Sequence, residues 1–192
     1  ELDFALLVDG LKAEREQGIT IDVAYRFFET EHRRYIVADT PGHDQYTGNM
    51  ATGASNAELA ILLVDAQKGI LTQTRRHYRI VTLMGIRNLV LAVNKMDLVG
   101  YRQDIFEGIE NEYREFLGQL NISPQFVIPA SAKLGDNIVH SSKEMFWYAG
   151  PMVLDSLTKF SSESVKGEQP LRFSLQDVYK FDARRILAGR IT

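Results

Sequence analysis

The order of apolar and polar residues along the chain predicts short strands that alternate with helices. Residues 24–29 and 34–39 are aromatic and β-branched runs joined by a short polar turn, which indicates a β-hairpin. Three later runs, at 59–65, 89–94 and 125–129, are short, almost continuously apolar and bounded by polar or turn residues. This pattern is typical of strands that are covered on both faces, as in a mostly parallel sheet.

Amphipathic segments between and after these strands predict three helices. Residues 72–84 and 103–120 carry apolar side chains at helical spacing, and residues 151–160 have a proline in the first turn. Repeated strand–helix units are joined by right-handed crossovers in nearly all folds that contain them. We therefore expect an α/β domain with a doubly wound, mostly parallel sheet.

The C-terminal part of the chain predicts a change of domain. Residues 161–169 are polar and typical of a flexible linker, so that the first domain would comprise residues 1–160. Within residues 170–192, the segments 171–178 and 185–191 have the character of strands. Because two strands alone are marginally stable in water, we expect this region to be the beginning of a second, truncated β-rich domain.

Composition narrows the functional classes. The chain has 22 basic and 25 acidic side chains and a formal net charge of -3, so bulk charge gives no reason to expect nucleic-acid or acidic-membrane binding. It has no cysteine, which excludes disulfides, cysteine nucleophiles and thiolate metal sites. No apolar run approaches the roughly 20 residues that span a bilayer. We expect a cytoplasmic location, because a reducing cytosol is compatible with a chain without cysteine.

The stretch Asp39-Thr40-Pro41-Gly42-His43 directly follows a predicted strand and carries candidate chemistry for phosphoryl transfer. An Asp at the carboxyl end of a strand can hold Mg²⁺, usually through water, and Gly42 lets a backbone N–H approach a γ-phosphate closely. His43 can then orient an attacking water. The alternative is a strand followed by a tight Pro-Gly turn, with the histidine on the surface.

A second polar stretch, Asn94-Lys95-Met96-Asp97, also follows an apolar strand. Guanine presents adjacent N1–H and N2–H₂ donors, and a fixed Asp97 carboxylate can accept from both, whereas adenine lacks this donor pair. The Lys95 stem can pack on the base plane, and Asn94 can tie the loop together. A buried carboxylate left unpaired against the wrong base is costly, which gives such a site its selectivity. An ordinary four-residue polar turn is the alternative.

A third stretch, Ala130-Ser131-Ala132-Lys133, follows the predicted strand 125–129. Ligands of open α/β sheets bind beyond the carboxyl ends of the strands. A backbone N–H of this loop can contact guanine O6, and Ser131 can brace the loop. A loop of small residues without a ligand is the alternative.

A fourth stretch, Gly18-Ile19-Thr20-Ile21, precedes the predicted hairpin. Thr20 can give its hydroxyl to Mg²⁺ and its backbone N–H to a γ-phosphate, so that the loop would be ordered only in the triphosphate state. By itself the stretch is also compatible with a helix end and its glycine cap.

On these motifs the sequence resembles the translational GTPases of the elongation factor Tu-like class. It is more similar to the GTPase subunit of bacterial ATP sulfurylase (sulfate adenylyltransferase), the CysN/NodQ family. This resemblance covers nearly the whole chain and includes residues 172–192 as the first part of a β-barrel domain. The longer matching stretches are Leu7–Tyr25, Gln45–Thr47, Asn49–Ser55, Leu71–His77 and Trp147–Pro151.

The resemblance implies a P-loop NTPase-like fold that binds GTP and Mg²⁺ and, in the intact protein, hydrolyses GTP. It implies a partner, a CysD-like catalytic subunit that makes adenylyl sulfate from ATP and sulfate, and no nucleic acid or membrane. His43 would position the attacking water, and Thr20 and Asp39 would serve Mg²⁺. The residues expected to bind the nucleotide are Thr20, Asp39, Gly42, Asn94, Lys95, Asp97, Ser131, Ala132 and Lys133.

Two departures from the family pattern change the expectations. The 192 residues contain no Gly-x-x-x-x-Gly-Lys-Ser/Thr, the phosphate-binding loop that the family places before residue 1. The chain is therefore expected to start late, inside a helix, and to bind GTP poorly or not at all by itself. In addition, Gly48 stands where the sulfurylase subunit usually has a basic residue, in a segment that moves between nucleotide states.

Two other functions remain open from the sequence. One is a translation factor that delivers RNA, because RNA contacts could lie in further domains. The other is an interaction domain that keeps the fold without turnover, which the missing phosphate-binding loop favours for the chain by itself.

Overall fold

The computed structural model describes residues 19–31, 33–120, 122, 124–160, 172–182 and 184–191. The chain divides into two compact units, residues 1–160 and 161–192. The helix expected at the N-terminus, Gly18 and the expected linker at 161–169 lie outside the described residues.

The parallel sheet of the first unit contains β3 (Leu59–Asp65), β4 (Asn88–Asn94) and β5 (Phe126–Pro129), in that spatial order. β3 and β4 are parallel and in register to their ends, where Asp65 lies opposite Asn94. The interior residues of β4 are buried, as its central position requires. The three strands predicted from apolar runs are thus confirmed, and their polar ends meet at one edge of the sheet.

The predicted hairpin is confirmed as β1 (Ala24–Glu29) and β2 (Arg34–Asp39), which pair antiparallel over their whole length. The Thr30 N–H donates to the Arg33 carbonyl at 2.9 Å and closes the turn. The hairpin brings β2 back so that it ends at Asp39, the first residue of the predicted phosphate-side motif.

Four α-helices are present in the described part of the first unit: α1 (Thr47–Ala54), α2 (Thr72–Leu83), α3 (Gln103–Gly118) and α4 (Val153–Lys159). The last three are the helices predicted from the sequence, with ends displaced by at most two residues. None of the described helices combines the length and the apolarity that crossing a membrane requires.

Aromatic side chains join α2 to α3. Tyr78 of α2 is fully buried and meets the rings of Tyr113 and Phe116 of α3 edge to face, at centroid distances of 5.3 Å and 5.8 Å. At the rim of this contact, Arg75 forms an ion pair with Glu112 at 2.7 Å. Edge-to-face rings add specific geometry to their buried area, so the two helices form a fixed support for the sheet.

Helix α1 was not predicted, because its sequence carries no apolar stripe and contains two glycines, Gly48 and Gly53. The helix is stabilised by tertiary packing, since Met50 and Ala54 are buried in the core. It follows directly after a 3-10 turn and connects the end of β2 to β3.

The second unit is a hairpin of β6 (Phe173–Phe181) and β7 (Arg184–Ile191), which confirms the two strands predicted at the C-terminal end. The pairing shifts register between Leu175 and Asp177, as at a β-bulge. All side chains of β6 are exposed.

Candidate functional site

Two loops meet at the carboxyl ends of the parallel strands. Residues 94–97 begin at the last residue of β4, and residues 130–133 follow β5. The two strands pair so that Val93 lies opposite Pro129. The Met96 N–H donates to the Ala130 carbonyl at 3.1 Å, which joins the backbones of the two loops. The sequence motifs proposed to bind guanine are therefore neighbours in the structure.

Side chains brace this pair of loops. The Ser131 hydroxyl donates to Oδ1 of Asp97 at 2.7 Å, and Ser131 is fully buried. Oδ1 of Asn94 accepts from two backbone N–H groups, that of Lys95 at 2.8 Å and that of Ala132 at 2.9 Å. Each hydrogen bond to a carboxylate restricts its orientation, so the Asp97 carboxylate is held in one direction before any ligand arrives.

Lys95 and Lys133 differ in their surroundings. Lys95 has a left-handed backbone with φ of 64°, and its Nζ forms an ion pair with Oδ2 of Asp65 at 2.8 Å. This contact extends the side chain across the edge of the sheet, where its stem can cover one face of a base. Lys133 is exposed at the outer end of the second loop.

Asp65 lies at the candidate site and was not predicted from the sequence. It ends β3, directly beside Asn94, and the Lys95 ammonium is the main reason why the pKa of its carboxyl is lower than usual. The Gln67 N–H also donates to Oδ1 of Asp65 at 2.9 Å. The available signal was the position of Asp65, which is the last residue of an apolar strand, as Asp39 is of β2.

We expect Asp65→Asn to lower the free energy of unfolding by about 0.5 kcal/mol at neutral pH, because Lys95 is half exposed and exposed ion pairs are weak. The pKa of Asp65 is lowered in the folded state, so its contribution is present above the ordinary value of 3.8 and is lost as the pH falls through the folded pKa. Urea unfolding should therefore show a difference between variant and wild type at neutral pH that shrinks as the pH falls below 3.8. A difference that is independent of pH would contradict this explanation.

A second cluster lies at the end of β2. A cavity of about 280 Å³ is lined by Ile19, Thr20, Gly42, His43 and Gln73. It brings together three residues that were proposed separately from the sequence to act near a γ-phosphate, namely Thr20, Gly42 and His43. Gln73, in the first turn of α2, was not predicted from the sequence.

The Thr20 loop is held against α1 by another residue that the sequence did not reveal. The Asn49 side chain donates to the Ile21 carbonyl at 2.8 Å. Because Asn49 belongs to α1, this bond ties the loop that carries Thr20 to the helix that follows His43. Asp39, at the end of β2, is partly buried.

The local geometry of His43 suits it to orient water. Its backbone caps the 3-10 turn Asp44–Tyr46, and its Nδ1 accepts from the Gln45 N–H at 3.4 Å. In the neutral ring this bond places the proton on Nε2, which can then donate to a water oxygen. Arg76 of α2 forms an ion pair with Asp44 at 2.5 Å and fixes the turn to that helix.

Gly53 allows α1 to approach the segment that follows Asp39. A Cβ at Gly53 would clash with Cγ2 of Thr40 and lie 3.3 Å from Cγ1 of Val23, whereas Gly48 in the same helix has nothing within 4 Å. We expect Gly53→Ala to lower the free energy of unfolding by about 1–3 kcal/mol through overpacking. Gly48→Ala is the matched control and should be neutral or stabilising by up to about 1 kcal/mol. Urea unfolding of both variants checks this, and equal effects would contradict it.

The donor set around the second cluster fits Mg²⁺. The Thr20 hydroxyl lines the cavity, whereas Asp39 ends β2 and is not among the lining residues. Both side chains offer oxygen, the ligand that Mg²⁺ prefers. Among the described residues, no group of three or more His, Cys, Asp or Glu side chains could hold a metal ion. That is compatible with Mg²⁺, which commonly takes one or two protein ligands and completes its shell with phosphate and water.

The fold and the placement of these loops define the class of the protein. A parallel sheet with helical crossovers, whose polar loops gather beyond the carboxyl ends of the strands, is a nucleotide-binding α/β domain. The elongation factor Tu GTP binding domain matches residues 2–165. The chain belongs to this family.

Two curated relatives share more than half of their aligned residues with the chain. It is 58% identical over 178 residues to the bifunctional enzyme NodQ of Rhizobium sp. (strain N33), covering 93% of this chain and 28% of that protein. It is 60% identical over 180 residues to sulfate adenylyltransferase subunit 1 of Cronobacter sakazakii (strain ATCC BAA-894), covering 93% of this chain and 38% of that protein. The chain thus spans well under half the length of these relatives.

Solved structures agree on the fold. The chain superposes on the bacterial selenocysteine-specific elongation factor EF-Sec with a TM-score of 0.68 and 23% identity, covering 96% of this chain and 30% of that one. On sup35 complexed with GDP the TM-score is 0.60 with 28% identity, covering 98% of this chain and 46% of that one. Both proteins are much longer than the matched region.

Proposed function

We propose that the chain is the GTP-binding domain of the GTPase subunit of a sulfate adenylyltransferase. The observation that carries the nucleotide part is the 2.7 Å hydrogen bond from Ser131 to Asp97, because it presents a fixed carboxylate beyond β4. The observation that supports the particular enzyme is the 60% identity to a sulfate adenylyltransferase subunit 1 over 93% of the chain.

In this proposal Asp97 reads guanine. Its carboxylate accepts from N1–H and N2–H₂ of the base, and Ser131 keeps it oriented. The Asn94 side chain accepts a hydrogen bond from the Ala132 N–H and thereby positions the second loop, whose backbone can face guanine O6. The Lys95 stem covers one face of the base while Asp65 holds its ammonium. Adenine would leave the carboxylate without donors, which is the costly arrangement.

Hydrolysis would take place at the second cluster. Gly42 offers a backbone N–H to the γ-phosphate, and the space beside it is open, since no described atom beyond Gly42 and its chain neighbours lies within 4 Å of the position that a Cβ would occupy. His43 orients the attacking water through Nε2–H. Mg²⁺, when bound by Thr20 and Asp39, supplies positive charge for the β- and γ-phosphate oxygens.

The hydrolysis step would be coupled to sulfate activation in a partner subunit. Formation of adenylyl sulfate and pyrophosphate from ATP and sulfate is uphill, so the GTP and GDP states must differ in their affinity for the partner. Loss of the γ-phosphate would be transmitted to the partner subunit through the turn of His43 and helix α1, because both join the phosphate cavity to the rest of the domain.

Formation of adenylyl sulfate by the full-length gene product and its catalytic partner tests this function. We expect product to accumulate with GTP and to stay near the level without nucleotide when GDP or a non-hydrolysable GTP analogue replaces it. Formation of the same amount of product without GTP would contradict the proposal. The structural likeness to elongation factors makes a translation GTPase the second candidate, and ribosome-stimulated hydrolysis would favour it.

A further inference from the structure

The Asp97–Ser131 pair is supported by a hydrogen-bonded network that lies outside both guanine motifs. Ser131 and Asp136 form a backbone bridge, with the Ser131 N–H donating to the Asp136 carbonyl at 3.2 Å and the Asp136 N–H donating to the Ser131 carbonyl at 3.1 Å. The Tyr101 hydroxyl donates to Oδ2 of Asp136 at 3.0 Å. Tyr101 is therefore linked to Asp97 through three consecutive contacts.

Tyr101 is itself fixed at both ends of its backbone. Its N–H donates to the Met96 carbonyl at 2.9 Å, and its carbonyl accepts from Nε1 of Trp147 at 3.1 Å. Its φ of 55° places it in the left-handed region, which costs energy for a residue with a side chain and is retained where the surroundings determine it. The segment after the first guanine motif is thereby held in a single arrangement.

The hydroxyl of Tyr101 remains a donor under all physiological conditions. Burial, and then the hydrogen bond to Asp136, raise the pKa of Tyr101 to about 12. A raised pKa means that the proton stays on the hydroxyl throughout the neutral range, so the bond to the Asp136 carboxylate persists.

We propose that Tyr101 and Asp136 are positioning residues that set the preference for a 2-amino purine, by holding Ser131 where it orients the Asp97 carboxylate. This inference rests on the proposed guanine site. Ser131 occupies Oδ1 of Asp97, and within the described part of the chain no group donates to Oδ2. Simultaneous acceptance from N1–H and N2–H₂ requires a narrow range of carboxylate orientations, so loosening Ser131 weakens the second contact first.

The comparison of GDP with IDP isolates this effect, because hypoxanthine keeps N1–H and O6 but lacks the 2-amino group. For Tyr101→Phe in the full-length gene product, we expect the affinity for GDP to fall about 5- to 20-fold and that for IDP by no more than about twofold, since hydrogen bonds to charged groups are worth about a factor of ten. The ratio of the GDP affinity to the IDP affinity should fall, while the maximal rate of GTP hydrolysis stays unchanged. Isothermal titration with each diphosphate measures the ratio.

Two further variants keep the test decisive. Asp136→Ala removes the acceptor of the Tyr101 hydroxyl and should lower the ratio of GDP to IDP affinity as Tyr101→Phe does, so that either variant suffices if the other folds poorly. Asp136→Asn retains an acceptor oxygen and should keep the wild-type ratio. Tyr148→Phe is the matched control, because among the residues that the structure describes this hydroxyl bonds only to the Val127 and Pro151 carbonyls, at 3.3 Å and 3.0 Å. It should leave the ratio unchanged.

The outcomes separate this inference from the proposed function. If the wild-type protein prefers ADP, or does not distinguish GDP from IDP, the guanine site itself is wrong. If the wild-type protein distinguishes them and Tyr101→Phe and Asp136→Ala weaken both equally, the two residues serve stability alone and the inference is overturned.

Discussion

Asp97→Asn is expected to change the base preference of the nucleotide site from guanine to xanthine. The Asn side chain keeps one acceptor oxygen, to which Ser131 can still donate, and replaces the other oxygen with an amino group. Xanthine has a carbonyl at position 2 where guanine has an amino group, so the new amino group pairs with xanthine and opposes guanine. Replacing one carboxylate oxygen with an amide nitrogen thus changes the complementary base from guanine to xanthine.

The size of this effect follows from the loss of two charge-assisted hydrogen bonds. Each is worth about 1.5–3 kcal/mol, so the affinity for GDP should fall by about 10²- to 10⁴-fold, while the affinity for XDP rises. Titration of both diphosphates into the full-length gene product measures the two constants. Asp104→Asn is the matched control, because Asp104 pairs with Arg102 on the surface at the start of α3. An unchanged ratio of GDP to XDP affinity in Asp97→Asn would exclude the assigned base-reading role.

His43→Ala is expected to slow GTP hydrolysis by about 10²- to 10³-fold, because removing a group that positions the nucleophile typically has effects of this order. Nucleotide affinity should change by no more than about twofold, since His43 lines the cavity without bracing either base loop. Single-turnover hydrolysis and titration with a non-hydrolysable GTP analogue measure the two quantities separately.

His140→Ala serves as the control for that variant. His140 is exposed, and it is its backbone carbonyl that accepts from the Asn137 N–H at 2.9 Å, a bond that alanine retains. Hydrolysis should therefore be unaffected. A His43→Ala protein that hydrolyses GTP at the wild-type rate would contradict the assigned role of the cavity.

The sheet and three helices were predictable because their apolar residues follow the period of the element to which they belong. The residues of β4 are apolar throughout its buried interior, and α3 repeats apolar residues at helical spacing. Helix α1 was not predictable in this way. It is stabilised by contacts with distant parts of the chain, such as that between Gly53 and Thr40, and these leave no local period.

The residues of the candidate site likewise include some that the sequence predicts and some that it does not. The motifs at Asp39, Asn94 and Ser131 were identified because the chemistry of each lies within a few consecutive residues. Asp65 and Asp136 act through partners that are 30 and 35 residues away in the sequence, Lys95 and Tyr101 respectively. Such pairs are produced by the register of the sheet and by loop packing, so a single sequence does not reveal them.

The decisive measurement for the proposed function is GTP hydrolysis by the full-length gene product together with its co-purifying partner, with and without ATP plus sulfate. We expect hydrolysis to rise only when both substrates are present and to be accompanied by adenylyl sulfate. Hydrolysis that ignores ATP and sulfate but is stimulated by ribosomes would assign the protein to translation. No hydrolysis by an intact, folded complex would contradict the proposed GTPase and leave a nucleotide-independent interaction domain.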